Sequence, residues 1–314
     1  MTIINSVTGR IDSSDLGCTL VHEHLRIRSE SVFTQFPHLY DEEKEFQKAI
    51  EQVKAAKEQG VKTICDPTVM EMGRDIRFME KISHETGVQI IASTGIYTYH
   101  YIPPHFQNRS IDYMTDLFVR DIKVGIQNTS IKAGFLKCAT DVQGLKPDVE
   151  KVLRATARAH HKTGVPIMTH THAPSETGLL QMKIFEEEGV KPDNIIIGHC
   201  GDTEDFDYIE TLLDKGVFIG MDRYGITKRL ATSKRNKTLI ELVKRGYADR
   251  MFLSQDYCCS FDWFDDEVIE EVYPLWSMIY LFSDVIPELK QNGVTEEQIH
   301  MMMHENIIGW FQSK

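Results

Sequence analysis

The sequence predicts a (β/α)8 barrel, and three observations carry that prediction. Eight short runs rich in β-branched and apolar residues alternate with longer segments of helical periodicity. Glycine closes one helical segment after another just before the next strand, at Gly60, Gly87, Gly164, Gly189, Gly216 and Gly246, where the left-handed position beyond a helix end suits it. The connections are short, which argues a parallel sheet, and eight such repeats argue closure into a barrel. A doubly wound open sheet would carry a glycine-rich phosphate loop after its first strand, and "HEHLRIRSE" is nothing like one.

The elements follow in order. A first strand near 17–23 runs into "LVHEHL", and because residues two apart on a strand share a face, His22 and His24 aim at one spot. The segment "DEEKEFQKAIEQVKAAKEQG" is an amphipathic helix with Phe46, Ile50 and Val53 on one face. Strands near 61–69 and 88–97 come next, the latter ending in Tyr97. The fourth, near 133–140, carries Lys137 in "AGFLKCAT" and leads to the helix "PDVEKVLRATARAHHKTG". The fifth, near 165–172, ends in His170 and His172; the sixth, near 194–200, in His199; the seventh, near 217–223, in Arg223; the eighth, near 250–256, in Asp256. The stretch 257–272, "YCCSFDWFDDEVIEEV", is the longest irregular connection. No linker or low-complexity segment interrupts the chain, so residues 1–314 are expected to form one domain.

Composition narrows the function. A chain of 314 residues buries about three quarters of its unfolded surface, so a metal is not required for stability and is free to be catalytic. The net charge of −12, with no Lys/Arg block, argues against nucleic acid and anionic membranes as partners and favours a small molecule. The opening "MTIINSVTGRID" lacks the pattern of a signal peptide, and no run approaches the roughly 18 apolar residues of a membrane span. Six cysteines in or beside apolar runs read as buried, reduced thiols, and the cytoplasm is the expected compartment.

In such barrels the chemistry lies at the C-terminal ends of the strands, where the polar residues above collect. Singly, each has an ordinary reading: a core histidine, a snorkelling lysine, a helix-capping aspartate. Together they point to a metal site, and imidazole with carboxylate suits Zn, Mn, Fe or Co better than Mg or Ca. An ammonium at Lys137 would repel such ions. A neutral amine that has taken up CO₂ becomes a carboxylate-like carbamate able to bridge two metals about 3.5–4 Å apart, the alternative being an ion pair with a neighbouring acid.

His22-x-His24, Lys137, His170, His199 and Asp256 on strands one, four, five, six and eight resemble the binuclear amidohydrolase superfamily. Within it the chain is similar to the phosphotriesterase-like lactonases, through "GCTLVHEHL", "GVKTICDPTV", "GRDIRFMEK", "TGIYTY", "KAGFLKCATD", "IGHCGDT", "FIGMDRYG", "DYCC" and "IPELKQNGV". The resemblance implies two divalent transition metal ions, His22, His24 and Asp256 holding the buried one, His170 and His199 the more exposed one, and carboxylated Lys137 bridging them. His172 is then pocket lining or core. Tyr97 and Arg223 would border the substrate; the residues alone equally allow a buried tyrosine and an ion pair of Arg223 with Asp222 or Asp202.

The activity implied is hydrolysis of lactones such as N-acyl-homoserine lactones by a metal-bridging hydroxide, with paraoxon hydrolysis as a side activity. Asp256 would move the proton, and Asp202 would either extend that path or orient its neighbours. Met72, Tyr99, Phe261, Trp263 and Phe264 would line a channel for the acyl chain, though aromatics in a long loop equally suit a subunit contact. The resemblance also implies a homodimer. A dedicated phosphotriesterase is the nearest rival, but such enzymes resemble this chain with tryptophan in place of Tyr97. A mononuclear deaminase would not need Lys137, and a non-catalytic metal- or ligand-binding barrel would not need Asp256. One departure from the family pattern is "ENIIGWF" near the C-terminus, where Glu-Asn-Pro is more usual.

Overall fold

Short, largely apolar segments form the barrel strands in the computed structural model, which describes residues 2–313. The barrel strands are β3 (Cys18–Leu20), β4 (Val61–Asp66), β5 (Gln89–Gly95), β6 (Phe135–Ala139), β7 (Ile167–His170), β8 (Ile195–Ile197), β9 (Phe218–Met221) and β10 (Met251–Leu253). Each pairs in parallel with the next, in the order β3 to β10. Before them lies an antiparallel hairpin, β1 (Ile3–Ser6) and β2 (Gly9–Asp12), which the periodicity did not reveal. Its four-residue strands are too short and too polar to give a repeat.

The strands are shorter than the sequence pattern suggests, because ladder pairing stops before the polar residues begin. β3 ends at Leu20, so His22 and His24 lie past it, and His199, Arg223 and Asp256 likewise lie beyond β8, β9 and β10. The seam between β3 and β10 is closed by these overhanging segments. Asp256 N donates to His22 O (3.0 Å), His24 N to Tyr257 O (2.7 Å) and Cys259 N to His24 O (3.0 Å). The barrel is thus completed by residues of the site itself, and these bonds replace the predicted strand geometry in aiming His22 and His24.

Helix signals in the sequence hold. The helix Glu42–Glu58 starts at Asp41, whose side chain accepts from Lys44 N, and buries Ile50 and Val53. All six helix-closing glycines have positive φ. Gly95 has a different duty: a Cβ there would lie 1.8 Å from Lys137 O, so its absence lets β5 and β6 meet at Lys137. The stretch 257–272 is not wholly irregular, since Asp266–Val272 is helical.

The barrel floor is plugged by Trp310, fully buried with Phe135, Met168, Ile196, Phe252 and Ile307. Trp310 comes from the final helix, Asn306–Gln312, which continues a π-turn over Met301–Glu305. Ile307, at the departure from the family pattern, fills this plug, while Asn306 Nδ2 donates to Ala248 O (2.9 Å) and Met251 O (2.8 Å). Among the described residues no helix is long and apolar enough to cross a membrane. All six cysteines are free, five buried and Cys18 half-buried.

Candidate metal centre and substrate cavity

The open end of the barrel brings together the six side chains named as ligands. His22 Nε2 and His24 Nε2 each lie 3.3 Å from Asp256 Oδ1, Lys137 Nζ lies 3.1 Å from His22 Nε2, and His199 Nε2 is 3.8 Å from Asp256 Oδ2. His199 Nε2 and His170 Nδ1 are 3.0 Å apart. His199 (φ 64°) and Asp256 (φ 51°) adopt the left-handed backbone region that side-chain-bearing residues avoid, a strain typical of functional positions.

The outward nitrogens of these rings are engaged. Asp222, buried and missed as a site residue by the sequence reading, spans two of them: Oδ2 is 2.8 Å from His22 Nδ1 and Oδ1 is 3.0 Å from His199 Nδ1. Asp141 Oδ2 lies 2.6 Å from His170 Nε2, and Thr68 Oγ1 lies 2.7 Å from His24 Nδ1. Burial alone would raise the Asp222 carboxyl, yet His199 and His22 hold it well below the usual range, so it is a carboxylate that accepts from both rings.

Burial also drives three of the rings toward neutrality, His170 down to about 4 and His22 and His199 below their ordinary value. A neutral ring whose outward nitrogen carries the proton points a bare lone pair inward. His170 Nδ1 and His199 Nε2 therefore face each other as two acceptors, an arrangement that a cation between them satisfies. The donor set of imidazoles and a carboxylate fits divalent transition metals; the trio grouped tightly enough to hold one ion is His22, His199 and Asp256, which differs from the expected trio of His22, His24 and Asp256 in having His199 in place of His24.

Lys137 is fully enclosed, and burial pulls its ammonium down to about 8. Burial thus favours the neutral amine, the form that a carbamate requires. Burial would raise Asp256, but His22, His199, a hydrogen bond from His24 and Arg223 hold it well below the ordinary carboxylate range.

Above the cluster opens a cavity of about 290 Å³. Met72, Tyr97, Tyr99, Arg223, Phe261, Trp263 and Phe264, all singled out from sequence, line it. Tyr97 Oη lies 3.3 Å from His170 Nδ1, and burial keeps the phenol protonated. Arg223 pairs with Asp202 (Nη1 to Oδ2, 3.0 Å) and Asp256 (Nε to Oδ2, 2.9 Å), while Asp222 serves the histidines instead. His172 is outside the cavity, half-buried, with Nδ1 2.8 Å from Ser175 Oγ. The sequence reading missed Asp141, Arg229, Tyr273 and Trp276 on the cavity wall. Asp222 directly follows β9 and Asp141 lies two residues past β6, within the rule that found the histidines; Tyr273 and Trp276 come from the far limb of the long loop and carry no such mark.

Residues 2–311 match the phosphotriesterase family. An aryldialkylphosphatase of Saccharolobus solfataricus is 53% identical over 298 residues, covering 94% of this chain and 95% of its own. A phosphotriesterase homology protein of Mycobacterium tuberculosis is 45% identical over 314 residues, covering 98% and 96%. The solved structure of the phosphotriesterase from Mycobacterium tuberculosis superposes with a TM-score of 0.96 at 43% identity, over 99% of this chain and 98% of that one.

Proposed function

This chain belongs to the phosphotriesterase family of metal-dependent hydrolases, and on that premise we propose that it is a lactonase whose site also turns over phosphotriesters slowly. The observation that carries the reading is the Tyr97 phenol, kept protonated by burial and held beside His170 under a wall of aromatic side chains. A buried O–H donor at that point suits an ester oxygen that gains charge as its bond breaks, and the apolar wall suits an acyl chain.

His22, His24, His170, His199, Asp256 and Lys137, the last as its carbamate, would hold two divalent transition metal ions. When bound, these supply Lewis acidity that acidifies a water and polarises the carbonyl. Asp256 takes the proton of the attacking water and delivers it to the leaving alkoxide, so that water and lactone become a hydroxy acid. Arg223 fixes the Asp256 carboxylate through Nε and is itself held by Asp202. Tyr97 donates its hydroxyl proton in a hydrogen bond to the lactone, and Phe261 and Trp263 exclude water from the acyl side.

A dedicated phosphotriesterase is the second reading, favoured by the name of the relative from Saccharolobus solfataricus. The deciding experiment compares hydrolysis of medium-chain acyl-homoserine lactones and of paraoxon by one metal-loaded preparation, repeated after chelation and with Lys137→Ala. Faster lactone turnover, abolished by both treatments, supports the lactonase. Preference for paraoxon supports the triesterase, and metal uptake without turnover of either supports a binding protein.

A further inference from the structure

The long loop after β10 leaves Gln255 and returns to it. Gln255 is fully buried and next to Asp256. Its side-chain Nε2 donates to Met278 O (2.9 Å) and its Oε1 accepts from Leu281 N (3.0 Å), both on the returning limb. Its own carbonyl accepts from Trp276 Nε1 (3.0 Å). The outgoing limb is fixed differently, by backbone bonds to the overhang of β3: Ile27 N donates to Ser260 O (2.9 Å) and Asp262 N to Ile27 O (3.3 Å). Besides that indole bond to the Gln255 backbone, the returning limb is held by the buried Gln255 side-chain amide and by a peripheral contact of Tyr280 Oη with Thr232 Oγ1 (3.1 Å).

From that anchor a run of rings reaches the cavity. Trp276 meets Phe261 at 6.3 Å between centroids, Phe261 meets Trp263 at 5.0 Å, and Trp263 meets Tyr97 at 6.2 Å. Trp276, Phe261, Trp263 and Tyr97 all line the cavity. Gln255 is in turn seated by Glu23, whose Oε1 accepts from Gln255 N (2.9 Å) and Nε2 (3.4 Å).

We propose that Gln255 is a positioning residue for substrate selection: its amide staples the returning limb of the loop to the barrel and so fixes the distance between the Trp276–Phe261 wall and the reacting centre. An amide that both donates and accepts defines one register of the limb, which an apolar side chain of equal volume does not. A substrate tail that packs on this wall senses the staple; a small ring without a tail does not. The proposal rests on the lactonase reading only for its choice of substrates.

The test uses the metal-loaded full chain with Gln255→Met, which keeps volume and removes both bonds to the limb along with the longer one to Glu23 Oε1, and Gln255→Asn, which keeps the amide but is too short to reach both limb partners. Metal content and circular dichroism establish that each is folded. The expected result is a fall of about tenfold in the ratio of kcat/KM between a long-tailed lactone and a tail-free one, expressed in KM, with kcat on the tail-free ring held within about twofold. Amide exchange over 273–281 accelerates in the same variants, with exchange over 257–262 unchanged. An unaltered ratio, with or without a loss common to both substrates, overturns the proposal, and so does an altered ratio with unaltered exchange over 273–281. If the wild type hydrolyses no lactone, the lactonase reading falls by itself. The staple is then judged by the exchange data and by the ratio of a dibutyl to a dimethyl aryl phosphotriester, and an unchanged ratio there overturns it too.

Discussion

Asp141 Oδ2 lies 2.6 Å from Nε2 of His170, whose other ring nitrogen, Nδ1, meets His199. Burial alone would raise the Asp141 carboxyl, but the hydrogen bond with His170 and the charge interaction with that ring hold it below its ordinary value. The carboxylate therefore fixes which nitrogen carries the proton and turns Nδ1 inward as a ligand. Asp141→Asn is expected to weaken metal uptake or activity by about 10–100-fold. Metal titration followed by elemental analysis and kcat/KM on one lactone checks it; full metal content with unchanged activity would remove Asp141 from the centre.

A buried arginine braces the other side. Arg235 is fully enclosed and donates to Asp202 Oδ1 (2.5 Å), Leu230 O (2.7 Å), Ile226 O (3.1 Å) and Gly201 O (3.2 Å). Asp202 in turn holds Arg223, and Arg223 holds Asp256. Arg235→Met leaves Asp202 and three carbonyls without that donor and is expected to cost about 3–5 kcal/mol of stability. The shift of the urea midpoint measures it, and a loss below about 1 kcal/mol would mean that Arg223 alone suffices for Asp202.

How far the sequence spoke for the structure differs by element. Strands such as Val61–Asp66 and helices such as Glu42–Glu58 are legible because burial imposes a period on the chain. His22, His170, His199 and Asp256 are legible because a barrel collects strand ends at one mouth. Asp222 and Asp141 were open to the same rule, but an acid beside an arginine or at a loop start has an ordinary reading as an ion pair or cap. Other features have no local signal. The left-handed backbone of His199 and Asp256 sits among long-range bonds, His199 N to Asp222 Oδ1 (2.8 Å) and, next to Asp256, Tyr257 N to Glu23 Oε2 (2.7 Å). The staple at Gln255 joins residues 23 and 26 positions apart, which no periodicity encodes.

His160 gives a pH dependence away from the centre. It is nearly buried at the end of the helix Pro147–Thr163, with Nδ1 2.8 Å from Val165 O. Burial lowers its pKa, opposed by that hydrogen bond; His161 lowers it further and Asp193 raises it. As pH falls below about 6.5 the unfolded chain takes up a proton that the folded ring resists, so stability is lost downward from there. His160→Gln keeps a donor toward Val165 and removes the titration. Urea midpoints at pH 7.5 and 5.5 are expected to fall less in the variant than in the wild type. Parallel falls would show that His160 contributes nothing to acid sensitivity.

Tyr97 separates the two substrate classes through their leaving groups. A lactone releases an alkoxide, far too basic to depart without a hydrogen-bond or proton donor, whereas paraoxon releases a nitrophenolate that is stable as an anion. Tyr97 presents a buried phenol, held protonated, at 3.3 Å from His170 Nδ1. Tyr97→Phe removes that donor and leaves the ring contacts with Tyr99 and Trp263. The expected effect is a loss of about 10²-fold in kcat/KM on a lactone, falling in kcat more than in KM, with paraoxon changed by less than about threefold. Equal losses on both substrates would make Tyr97 a packing residue. Full lactone activity in the variant would show that the alkoxide leaves without the Tyr97 hydrogen bond and withdraw the observation on which the lactonase reading stands.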